Sequence, residues 1–352
     1  MKQRQQQYGR CTQRLLLAIA LLWGLICLQI ASSHAVQVQS IAVEVSPNQV
    51  LTGQLYTPRS KTKVKAAVPS VLFCHGLSSH KDTFAPLAWE LAARGIAGVV
   101  FDFGGYGQSY DRPISPAANF IDAEAMLNWM KQAPLIDHNA LGIVGHSMGG
   151  TTALEMAQAH PELKSTVLLG IAGYATPRSP ANLMFGSGVY EEFNPVGQMQ
   201  EIAASAAGQD LPPNRTLGRF TDGTARRLVL SPSIDHALAP YDKLLQEAAI
   251  AWLSQSFDHS PSPDRSLGFA RPKAMVLAVA GAAGLFAELY GWMLRQLKSP
   301  RQQLVLRSAI ALSLCGLLLS SLPSQFSPFS LQNAVGAGIT LIGLPIFLVG
   351  SV

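Results

Sequence analysis

Between Leu141 and Ala159 the chain passes from an apolar run, Leu141-Gly142-Ile143-Val144-Gly145, through His146-Ser147-Met148-Gly149-Gly150 into a mixed apolar and polar stretch, Thr151 to Ala159. That order predicts a buried strand, a tight turn and a helix. The turn is tight because Gly145 and Gly149 flank Ser147 in the pattern G-x-S-x-G, where larger side chains would clash with neighbouring elements. A chain that turns from strand to helix in this way needs a sheet with helices on its faces. The turn also lifts Ser147 Oγ to the sheet edge, beside the first amides of the helix. Ser147 is therefore the first candidate functional residue.

The same alternation runs through most of the chain. Ser70–Cys74, Ala97–Phe101, Ser165–Ile171, Asn182–Phe185 and Arg227–Leu230 read as further strands. Phe84–Arg94, Asn119–Gln132 and Leu244–Leu253 read as helices. Strands that are continuous apolar runs, separated by helices, imply a mostly parallel central sheet covered by helices on both faces. Val38–Val45 and Val50–Tyr56 predict an antiparallel pair at its edge.

The ends of the chain are different. Overall 48% of residues are hydrophobic and 13% charged, against about 25% charged in an ordinary soluble domain, and the deficit sits at the two termini. Leu15–Ile30 is an apolar run behind Lys2, Arg4, Arg10 and Arg14. It ends in Ala31-Ser32-Ser33-His34-Ala35, so residues 1–35 read as a signal peptide cleaved after Ser33-His34-Ala35 or as an uncleaved anchor. Residues 36–257 form the soluble domain, 258–272 a linker rich in Ser and Pro, and 273–352 a membrane region of about three helices: Ala274–Leu294, Leu304–Leu322 and Leu331–Val349. Arg295, Lys298 and Arg301 lie between the first two. With the basic leader, they place the soluble domain on the extracytoplasmic side by the positive-inside rule, although Arg265, Arg271 and Lys273 oppose that bias. Glu288 and Arg307, ionisable within apolar runs, are expected to pair with each other or to snorkel. The net charge of +5 is spent on these topology signals. No basic stripe with stacking aromatics marks a nucleic-acid surface. Of the four cysteines only Cys74 lies in the soluble stretch, and no Cys/His spacing suits a metal.

The soluble domain resembles the α/β-hydrolase superfamily, in particular its small esterase, lipase and dienelactone-hydrolase-like members. Gly145-His146-Ser147-Met148-Gly149 carries the resemblance, together with Cys74-His75-Gly76-Leu77 after one strand and Asp102-Phe103-Gly104-Gly105-Tyr106-Gly107-Gln108-Ser109 after the next. It implies the α/β-hydrolase fold, with Ser147 as nucleophile and the backbone N–H groups of Leu77 and Met148 as an oxyanion hole. The turn from Asp102 to Ser109 is then structural. The family places its histidine after the last strand, where Asp235-His236 stands. A histidine suits that place because its pKa lies near working pH. The resemblance puts the triad acid in Gly188-Val189-Tyr190-Glu191-Glu192-Phe193-Asn194-Pro195, with Glu191 at the acid position. Glu192 is its immediate rival, and Asp210 and Asp222 lie further on.

Only Ala172–Ala181 joins two of the strands where many relatives insert a helical cap, so a large cap is not expected. The loop Asn194–Arg226 could overhang the site and line it with Met199, Ile202, Leu211 and Phe220. The resemblance implies hydrolysis of small-molecule or lipid carboxylic esters near a membrane, without a metal or organic cofactor. A peptidase or acyltransferase uses the same groups, and a non-catalytic binding module of a membrane assembly uses the same fold.

Overall fold

The computed structural model describes residues 14–26, 36–59, 67–260 and 270–297, with 299, 300 and 303. Contacts divide the chain into two units, residues 30–270 and a unit built from residues 1–29 and 271–352.

The larger unit is a nine-stranded sheet in the order β1-β2-β4-β3-β5-β6-β7-β9-β8. β1 (Val36–Ser46) and β2 (Gln49–Pro58) form an antiparallel hairpin, and β2 runs antiparallel to β4 (Ala97–Phe101). From β4 the sheet is parallel through β3 (Val68–Cys74), β5 (Ile136–His146), β6 (Leu163–Leu169), β7 (Leu183–Tyr190) and β9 (Arg226–Asp235). The two-residue β8 (Thr216–Leu217) closes the far edge in antiparallel sense. The parallel strands are nearly all buried, as continuous apolar runs require when helices cover both faces.

Helices α2 (Ala85–Ala93) and α6 (Lys243–Ser256) cover one face, with Leu87, Leu91, Leu245 and Leu253 in one apolar cluster. Helices α3 (Pro116–Gln132), α4 (Met148–Ala159) and α5 (Val196–Ala207) cover the other, with Met126, Leu127, Met156, Met199 and Ala203 in a second. Local signals set the starts of α3 and α6. Ser115 Oγ accepts from Ala118 N–H ahead of Pro116, and Asp242 accepts from Leu245 N–H.

β7, β9 and β5 each run several residues beyond the apolar stretch that announces them, because pairing with neighbours extends a strand past its hydrophobic core. The region Asn194–Arg226 is not a loop over the site. It contains α5, and Met199 and Leu211 are buried in the core, Ile202 packs against it, and Phe220 stacks edge-on to Trp252. Residues 170–182, between β6 and β7, contain no helix.

Arg226, at the start of β9, is the largest fully buried side chain of the domain. Its guanidinium donates only to backbone carbonyls: those of Thr176, Pro180, Ala206, Gly223 and Ala225, at 2.8 to 3.3 Å. Burial pushes its pKa down to about 10, so it remains a cation at neutral pH.

The smaller unit pairs α1 (Arg14–Ile26) with α7 (Ala270–Gln296). Within α7, Val276–Gln296 is long and apolar enough to cross a membrane. Glu288 is bonded to Arg14, 274 residues away in sequence, Nε to Oε2 3.2 Å. Arg307 and the expected helices Leu304–Leu322 and Leu331–Val349 lie outside the described residues.

Candidate active site

The order of strands reverses at β3, which lies between β4 and β5, and in open α/β sheets ligands bind outside the carboxyl ends of the strands at such a switch point. Four expected segments meet at that edge: His75–Leu77 after β3, Ser147 after β5, Glu191 after β7 and His236 after β9.

Ser147 sits between β5 and α4 with φ +52° and ψ −121°. A side chain there is strained, typically by about 1–3 kcal/mol. The two flanking glycines make the turn possible. A Cβ on Gly145 would collide with the Gly149 carbonyl, and one on Gly149 with the carbonyls of Cys74 and His75. Ser147 N–H is tied to Leu169 O at 3.1 Å, and its carbonyl starts α4 by accepting from Thr151. Met148 is the first residue of α4, where an N–H has no partner within the helix.

Ser147 Oγ lies 2.8 Å from His236 Nε2. His236 Nδ1 lies 2.8 and 2.9 Å from the two oxygens of Glu191, whose side chain is fully buried. Oε1 of Glu191 also accepts from the N–H groups of Phe193 and Asn194, at 3.0 and 3.4 Å. The two glutamates therefore reach different parts of one histidine: Glu191 meets the ring, and Glu192 Oε2 accepts from the backbone N–H of His236 at 3.1 Å. Asp222 is bound instead to Arg219 and Thr224 at the surface.

His75 and His146 line the base of this arrangement. His75 is completely buried, donates from Nδ1 to Gly76 O and accepts at Nε2 from Phe103 N–H, at 2.9 and 3.2 Å. His146 Nε2 donates to the carbonyl of His236 at 2.9 Å, and the two rings lie 4.9 Å apart. Gly76 faces His146 closely enough that a Cβ there would stand 2.8 Å from Nδ1. Burial pushes both imidazoles down to about 4.

A histidine with a folded-state pKa below its unfolded value favours folding above the unfolded value and loses that contribution as pH falls. The window here runs from about 6.5 to about 4. The melting temperature is expected to fall across it, each histidine adding up to about 1.4 kcal/mol per pH unit. His146→Gln keeps a donor for the His236 carbonyl and is expected to flatten this acid slope. Thermal melts from pH 4 to 7 check it, and equal slopes in both proteins would refute the assignment to His146.

Three groups at the site carry no periodic or motif signal in the sequence. Lys81 Nζ pairs with buried Asp102 at 2.6 Å, and Lys81 N–H reaches the other oxygen at 2.8 Å. This fastens the loop that carries Leu77 to the turn after β4, as does the His75–Phe103 bond. Asn194 bridges Gly170 O and Ala172 N–H, at 3.2 and 3.3 Å. Phe193 stands edge-on to His236 at 4.7 Å. Only spatial neighbours define these roles. A cavity of 510 Å³ lined by Arg94, Glu247, Ile250 and His259 lies at the opposite ends of the strands. Among the described residues no group of three His, Cys, Asp or Glu side chains is placed to hold a metal.

Residues 69–210 match the family model described as alpha/beta hydrolase fold. Over 102 residues the chain is 28% identical to an uncharacterized 31.7 kDa protein of Escherichia coli, covering 28% of this chain and 36% of that one. Over 142 residues it is 27% identical to an uncharacterized protein of Mycobacterium tuberculosis, covering 40% of each. The chain thus spans well under half the length of these curated relatives. Among solved structures it is similar to the alpha/beta hydrolase GrgF from Penicillium sp. sh18, with TM-score 0.50 at 12% identity over 63% of this chain and 99% of that one. It is similar also to DcsB in complex with its substrate analogue, with TM-score 0.50 at 11% identity over 63% and 100%. The central unit of this protein has the α/β-hydrolase fold.

Proposed function

We propose that the protein is a membrane-tethered, exported serine hydrolase of carboxylic esters. The observation that carries this reading is the chain of contacts from Ser147 Oγ through His236 to buried Glu191. Ser147 Oγ attacks the acyl carbon while His236 Nε2 takes its proton. Glu191 holds the proton of Nδ1 and favours the imidazolium. The N–H groups of Leu77 and Met148 stabilise the negative oxygen, each such donor being worth about 10²- to 10³-fold in rate. Collapse breaks the ester bond, and His236 returns the proton to the departing alcohol. Water, deprotonated by His236, then releases the acid and restores Ser147.

The strained backbone of Ser147 favours catalysis over a binding module, which has no use for a costly conformation at one hydroxyl. The apolar span of α7, with Arg295 at its end, supports a tether whose basic end is cytoplasmic and whose other end leads to the hydrolase domain outside. Substrates near that surface include lipid esters.

Fluorophosphonate labelling of the full-length protein in membranes tests this directly. The wild type is expected to label and to hydrolyse p-nitrophenyl esters, and Ser147→Ala to do neither. A folded wild type that resists the probe would refute the hydrolase reading. Turnover of anilides at rates matching the esters would move the protein to the peptidases.

A further inference from the structure

Helices α1 and α7 lie antiparallel, and their contacts run in strict opposite order. Arg14 meets Glu288, and the Leu17 side chain lies over Gly284. A Cβ on Gly281 would stand 2.6 Å from Leu21 N, and one on Gly24 2.7 Å from Ala278 N and 2.8 Å from Ala274 O. Steps of three and four residues along both helices mean that one face of each is engaged throughout. At two of these four levels a glycine of one helix meets the backbone of the other, the close approach by which small residues join helices in a bilayer. At the first level an ion pair neutralises a carboxylate that stands inside an apolar helix.

The sequence sorts charge the same way. Lys2, Arg4 and Arg10 precede α1, and Arg295, Lys298 and Arg301 follow or end α7. Antiparallel packing puts Arg14, at the end of the basic leader, and Arg295 at the same end of the helix pair. The other end holds Ile26 and Ala270, from which the chain leads to the hydrolase domain.

We propose that α1 is not a transient export signal but a permanent span that covers the small-residue face of α7, so that the mature hydrolase domain is an insertion in a two-helix membrane hairpin, anchored at both ends. Cleavage after Ser33-His34-Ala35 would remove Arg14 and leave Glu288 without its cation. It would also strip the partner from Gly281, Gly284, Ala274 and Ala278. The inference rests on the membrane placement of α7 and is independent of the chemistry at Ser147.

The test uses the full chain, produced in a host with a secretory signal peptidase and purified from its membranes. Intact mass and N-terminal peptide mapping are expected to find residues 14–26 in the mature protein. A chain beginning at Val36 would overturn the proposal. A second measurement examines the pairing: Leu17→Cys with Gly284→Cys, in a background with Cys11, Cys27 and Cys315 changed to serine and a protease site placed in the 261–269 linker. After oxidation and cleavage the two fragments are expected to migrate together, and to separate on reduction. The control pair Leu22→Cys with Gly284→Cys is expected to remain unlinked. A retained α1 with no Leu17–Gly284 link, or equal linking of both pairs, would overturn the hairpin. Fluorophosphonate labelling of the same preparations reports separately on Ser147.

Discussion

Glu191→Gln is expected to lower kcat about 10⁴-fold, the order of loss seen when a triad carboxylate becomes an amide, with KM little changed. The geometry gives the reason. Oε1 of Glu191 accepts from the backbone N–H groups of Phe193 and Asn194. A glutamine that turns its carbonyl to those donors sets its NH₂ at the Oε2 position, 2.9 Å from His236 Nδ1, where it opposes a proton on Nδ1 and favours the tautomer protonated on Nε2. It also lacks the negative charge that stabilises the imidazolium formed when the ring takes the proton of Ser147. Glu192→Gln keeps an acceptor for the backbone N–H of His236 and is expected to stay within a few-fold of the wild type. Steady-state kinetics on one ester, with circular dichroism to verify folding, compares the two. A crippled Glu192→Gln beside an active Glu191→Gln would reverse the assignment.

Arg226→Met is expected to destabilise the domain by roughly 3–5 kcal/mol, the usual cost of deleting one member of a buried charged network. Five carbonyls lose the guanidinium, from the β6–β7 connection, the end of α5 and the turn before β9, although Gly223 and Ala225 keep the backbone N–H groups of Asn182 and Leu183 as donors. Methionine fills the volume and bonds none of them, and water has little access to a side chain this buried. Lysine retains the charge but not the planar fork and is expected to fall between wild type and methionine. Urea unfolding of the three proteins reads the difference. A methionine variant within about 1 kcal/mol of wild type would mean that the carbonyls find other donors.

Much of the site was legible because the relevant signals are local. Gly145 and Gly149 are demanded by backbone that passes within contact distance of them, so the pattern around Ser147 announces a turn wherever the rest of the chain lies. His236 and Glu191 were reachable through the family resemblance, which names the strands they follow, and a parallel sheet delivers successive loops to one edge. The region Asn194–Arg226 was misread because its apolar residues are equally compatible with a pocket wall and with a helix packed on the core. Only the space left beside β7 and β9 selects α5 and buries Met199 and Leu211.

The sequence by itself determined the alternation of strands and helices, the tight turn at Ser147 and the apolar character of both ends, because each depends on residues close together in the chain. Tertiary structure alone decided which glutamate meets the histidine ring, that Lys81 and Asp102 pair beneath the loop bearing Leu77, and that Glu288 finds Arg14. Adjacent glutamates are chemically identical, and a contact across 21 or 274 residues leaves no periodic trace. Such choices are made by where the backbone brings the side chains, which is a property of the folded sheet and the helix pair rather than of any segment.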